Sequence, residues 1–125
     1  MKLTEIVYEK TCIITEGEMY EMARVKEANS GINVVIYVST KNGVKQRHGP
    51  RIKVSNIKHT FSWDDNFAVT IEKEPQIIAG KVKIKNDEVE DIFDWVKLNY
   101  STLMKYWNDA YSNDADFYHE LKSLK

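Results

Sequence analysis

The chain reads as α+β: a mostly antiparallel β-sheet, then two or three helices packed on it. Three observations predict this. Apolar residues alternate with polar ones, or form short β-branched runs, up to about residue 80. From Lys81 to Lys125 there is no Gly or Pro and the apolar spacing becomes helical. Strands therefore precede helices instead of alternating with them, which points to α+β over a parallel α/β fold. At 125 residues the chain is long enough for one core and too short for two, so residues 1–125 form a single domain, with the sheet over about 3–80 and the helices over about 86–124.

The first candidate strand holds Thr11-Cys12-Ile13-Ile14-Thr15, with Cys12 read as a small buried hydrophobe. Residues 18–28 are open to two readings. Good helix formers and a Thr15/Glu18 capping box favour a helix. Pairing Met22–Ala28 with the next strand across Asn29-Ser30-Gly31 favours a hairpin, with Val25 opposite Val35, Ala23 opposite Tyr37 and Met22 opposite Val38. The hairpin is slightly preferred, because the clearest strand, Ile32 to Ser39, is apolar on both faces and needs neighbours. Asn42-Gly43 and Gly49-Pro50 are turns. Arg51 to Ile57 alternates as a strand with one wet face would, and Asp64-Asp65-Asn66 leads into a strand over Phe67–Glu72. Beyond Pro75, Gln76–Ala79 is a short fifth candidate.

In the helical part, Val89, Ile92, Phe93 and Val96 make one stripe, with Asn86 as N-cap and acids in the first turn. The stripe continues through Tyr100, Leu103 and Trp107. A break near Asn99-Tyr100-Ser101, with Ser101 as cap, lets Trp95 and Trp107 both find cover. Asn113 caps a last helix carrying Phe117, Leu121 and Leu124.

Composition narrows the function. The longest apolar run, Val34 to Val38, is far short of a membrane span, and Glu5 interrupts the N-terminus before an apolar signal core forms. A single cysteine rules out an internal disulfide, so a soluble cytoplasmic protein is expected. His48, His59 and His119 lack metal-ligand spacing, so neither metal nor cofactor is expected. There is no nucleophile elbow and no Gly-rich phosphate loop. The paired acids are explained by turns and helix dipoles, so no catalytic residue is assigned.

Net charge is −1, but it is segregated. Residues 28–63 hold Lys41, Lys45, Arg47, Arg51, Lys53 and Lys58 and no acid, whereas residues 86–125 hold nine acids against four cations. The candidate binding set is Lys45, Arg47 and His48 on a loop, Arg51 and Lys53 on one strand face, and Trp63 nearby. Such a set suits an acidic protein partner. With Tyr37, Phe61 and Trp63 as stacking rings it would instead suit RNA or single-stranded DNA. A third alternative is a small nucleotide- or nucleic-acid-acting enzyme using His48. Trp95, Tyr100, Tyr106, Trp107 and Tyr111 should mostly pack on the sheet, and a surplus left exposed would imply a homodimer.

The stretches His48-Gly49-Pro50-Arg51-Ile52-Lys53-Val54-Ser55, Phe67–Ile71, Pro75–Gly80, Trp95–Asn99 and Tyr106-Trp107-Asn108 resemble a family of small uncharacterised proteins of bacteria, prophages and phages. More distantly they are similar to a domain of unknown function found beside toxin–antitoxin-like partners, which has a Pro-Pro-His-x-His stretch before the strand. Arg51 and Lys53 stand where those histidines would be, so no catalytic role carries over. The resemblance implies the order of sheet and helices and a home in mobile elements, where small proteins often bind and inhibit host machinery.

Overall fold

A computed structural model describes residues 22–41, 49–58, 60 and 64–125. The expected N-terminal strand with Cys12, the Thr15/Glu18 capping box and the Asn42-Gly43 turn lie outside the described residues. Five strands, β1 (Ala23–Val25), β2 (Ile36–Val38), β3 (Arg51–Ser55), β4 (Asn66–Thr70) and β5 (Ile77–Gly80), form an antiparallel sheet in the order β1-β2-β3-β4-β5. A one-turn helix, α1 (Glu27–Ser30), joins β1 to β2. Helices α2 (Asn86–Leu98), α3 (Tyr100–Trp107) and α4 (Asp114–Glu120) follow the sheet. The α+β arrangement is the expected one.

The hairpin reading holds for β1 and β2, but its register is one residue off. Ala23 faces Val38, Arg24 faces Tyr37 and Val25 faces Ile36. Because side chains alternate with period two, that single step moves every β1 side chain to the other face. It places Ala23 and Val25 in the core and Arg24 outside it. The connection is also longer than a tight turn. Gly31 caps α1 at φ 75°, donating from its N–H to Glu27 O at 2.8 Å. The Ser30 hydroxyl accepts from Ile32 N at 3.0 Å, pulling residues 32–34 out of the ladder, so β2 is shorter than the expected Ile32–Ser39.

One face of the sheet carries two apolar rows, Ala23/Val38/Ile52/Val69 and Val25/Ile36/Val54/Phe67. These pack with Ile92, Trp95 and Val96 of α2, Leu103 and Tyr106 of α3 and Phe117 of α4. Burying each such side chain contributes roughly 1.5–3 kcal/mol. Between β4 and β5 a register shift at Ala68/Val69 leaves Ile78 as the extra residue of a bulge.

Two caps differ from expectation. Val89 N donates to Lys85 O at 3.0 Å, so α2 is capped at Lys85 and Asn86 is its first residue. Lysine has no acceptor to offer. The compensation is the Glu88 carboxylate, which reaches back to Lys85 N at 3.1 Å. The break between α2 and α3 falls at Asn99, one residue beyond α2, rather than using Ser101 as cap. Asn99 is buried, and its amide donates to Trp95 O (3.1 Å) and Lys122 O (2.9 Å), while its Oδ1 accepts from Lys122 N (2.7 Å). Those bonds strap the extended C-terminal residues onto the helices. Leu124 N continues the strap to Ser30 O at 2.8 Å, and a Cβ at Gly31 would stand 2.7 Å from Lys125 N. Asn113 caps α4 as expected, accepting from Asp116 N at 3.1 Å.

Candidate binding surface

The face of the sheet turned away from α2–α4 carries the charge. In register across three strands stand Arg24, Tyr37 and Lys53, and the row continues into Ala68 and Ala79. Strand spacing puts the Arg24 and Lys53 backbones roughly 10 Å apart, with Tyr37 between them. Arg51 stands two residues before Lys53 on the same face. The expectation that Arg51 and Lys53 point the same way therefore holds.

The expectation of a wet strand face does not. Arg51 is 8% exposed and Tyr37 6%, Ser55 is fully buried, and Lys53 is half-buried. Val35, Tyr37, Ala68 and Ala79 are buried on this side as well. Alternation along β3 thus separates two covered faces of different chemistry, which polar/apolar alternation alone does not distinguish from a solvated strand. Arg51, Lys53 and Tyr37 each hold a contact within the chain. Lys45, Arg47, His48 and Trp63 lie outside the described residues, as do His59 and Phe61.

Arg24 is the residue that sequence reasoning missed. It is exposed on β1, the outermost of the described strands on that side, between the buried Ala23 and Val25. The expected register put Ala23 opposite Tyr37, which hid the Arg24–Tyr37–Lys53 row. A cation between two apolar residues that alternate with it was the signal available. Its backbone is held from the edge by Tyr118, whose hydroxyl accepts from Arg24 N (3.1 Å) and donates to Arg24 O (3.0 Å). One side chain thus satisfies an edge residue that would otherwise invite another strand. Burial raises the Tyr118 phenol above its usual pKa, against the opposing effect of the Arg24 backbone bond, so the hydroxyl keeps its proton.

The C-terminal acids lie with the helices. Glu88 pairs with Lys58 (3.6 Å), Asp91 with Lys125 (3.4 Å) and Glu120 with Lys105 (2.9 Å). Lys58 is thereby one cation of the basic central segment that is met by a helix acid. Of the five aromatics expected to pack mostly on the sheet, Trp95, Tyr106 and Trp107 are buried and Tyr100 and Tyr111 half-buried. Among the described residues, no three His, Cys, Asp or Glu side chains are grouped to hold a metal, and no helix is long and apolar enough to cross a membrane. No family model, curated protein or solved structure matches the chain.

Proposed function

We propose that this chain is a non-enzymatic binding protein that engages an acidic protein partner through the exposed Arg24 of β1, the half-buried Lys53 of β3 and the loop entering β3. The observation that carries the reading is the Arg24–Tyr37–Lys53 row with Arg51 beside it, on the opposite side of the sheet from the acidic helices. Within that row Arg24 is exposed and Lys53 half-buried. Lys45, Arg47, His48 and Trp63 belong to the proposal on their sequence alone. In the setting implied by the resemblance to phage and prophage proteins, the partner is a host defence or nucleic-acid-processing protein that the chain inhibits in the bacterial cytoplasm.

Single-stranded nucleic acid is the weaker reading. It needs rings whose faces accept bases, and Tyr37, the ring in the row, keeps only 6% of its surface.

Fluorescence anisotropy with a labelled Glu-rich peptide tests the proposal. Wild type should bind saturably, and Arg24→Glu with Lys53→Glu should weaken binding by at least about tenfold. Circular dichroism should show an unchanged fold. Arg51→Glu is unsuitable here, because reversing a charge at a buried position destabilises the sheet itself. Equal affinity in the double variant rejects the surface. Tighter binding of a poly(U) oligomer, falling steeply with salt, would move the function to RNA.

A further inference from the structure

The corner where α3 runs into α4 holds a second constellation that the basic face does not use. An open cleft there is lined by Lys105, Tyr111, Ser112, Asp116, His119 and Glu120. Lys105 Nζ lies 2.9 Å from Glu120 Oε1 and 4.9 Å from the centre of the Tyr111 ring. The Tyr111 hydroxyl donates to the same Glu120 oxygen at 2.8 Å. An ammonium is therefore already held by the two groups that recognise organic cations best, an aromatic face and a carboxylate.

That resident cation is easily displaced. Both side chains of the Lys105–Glu120 pair remain nearly half exposed, and exposed pairs of this kind contribute little to stability. Asp116 stands one turn before Glu120 on the same side of α4, providing a second carboxylate. The walls are fixed by other contacts. Tyr106 donates to Asp114 Oδ1 at 3.1 Å, its ring lies 4.3 Å from Phe117, and Ala110 N donates to Lys105 O at 3.0 Å.

We infer that this cleft is a recognition site for a guanidinium group, such as an arginine side chain presented by a partner, with Lys105 as the built-in competitor. A guanidinium fits better than a second ammonium. Its planar fork can bond Glu120 and Asp116 together while its flat face lies on the Tyr111 ring, a combined stacking and bonding geometry that a compact ammonium does not share. The site has polarity opposite to that of the sheet face and stands or falls independently of it.

Amide chemical-shift titration of the full chain with N-acetyl-arginine methylamide tests it. Saturable shifts should map to Tyr111, Asp116 and Glu120, and Glu120→Gln should weaken binding about tenfold. Removing the competitor with Lys105→Met should tighten binding several-fold, an outcome that a purely structural ion pair does not produce. Wild-type dispersion in the variant spectra verifies folding. Absence of saturation, weaker binding in Lys105→Met, or tighter binding of the matching lysine probe would each overturn the assignment.

Discussion

The two faces of this sheet are made by alternate residues of the same strands, yet they differ in what they cover. On β3, Ile52 and Val54 belong to the same core cluster as Trp95 and Leu103, while Arg51 and Lys53 look the other way. On β4, Phe67 and Val69 belong to the core, and Ala68 sits with Ala79 and Ile78 in a small separate cluster. Period-two geometry keeps the faces apart over only a few ångströms. Among the described residues, Arg24, Arg51 and Lys53 stand on the side away from the helices, while Glu88, Asp91 and Glu120 pair with lysines on the helical side. The helix-covered face holds the large hydrophobic cluster, and the opposite face holds two small ones.

Substitutions on either side can break that division. The largest effect is expected for Phe67→Ala, which empties a fully buried site in the helix-covered core and should cost about 3–5 kcal/mol in denaturant unfolding. Asn99→Ala comes next. It strands the backbone N–H and C=O of Lys122 and releases the C-terminal strap, while Trp95 O keeps its bond from the N–H of residue 99, for a loss of roughly 2–3 kcal/mol. Ala68→Leu sharpens the contrast. Ala68 is fully buried on the cationic face, so overpacking should cost about 1–3 kcal/mol, and a neutral result would show that side to be loosely filled. Asp109, just beyond α3, takes φ 59°, a left-handed conformation that a β-branched residue strongly disfavours, so Asp109→Val should cost about 1 kcal/mol, read as a lower urea midpoint.

The helical side also has a distinct alkaline signature. Tyr106 is pushed well above the ordinary phenol range, first by burial and then by the neighbouring Asp114 carboxylate. Its folded-state pKa is thus raised above the unfolded value of 10.0, so its contribution is fully present below pH 10 and is lost as pH rises beyond that. Stability measured upward from pH 9 should therefore fall above pH 10, and Tyr106→Phe should flatten that fall.

Much of the fold was legible because strand and helix periods change at one place, and because Asn113 and the Asn99 region carry local signals. The β1–β2 register was not legible. A one-turn helix at Glu27–Ser30 lengthens the connection, and nothing short of the three-dimensional path of the chain reveals the one-residue step. That step also concealed Arg24. The burial of Arg51 was likewise unreadable, because polar alternation looks the same whether its polar face meets water or more protein. The cleft at Lys105, Tyr111 and Glu120 joins residues fifteen apart through the α3–α4 turn, a proximity that helical spacing within either element does not supply.

The location of binding is the most direct test of the cationic face. Titrating the isotope-labelled chain with the Glu-rich peptide should shift the amides of Arg24, Tyr37 and Lys53 together and leave Ile92, Trp95 and Val96 of the core unmoved. Shifts confined to α2–α4, or none at these three positions while the peptide is bound, would contradict the division of labour between the faces.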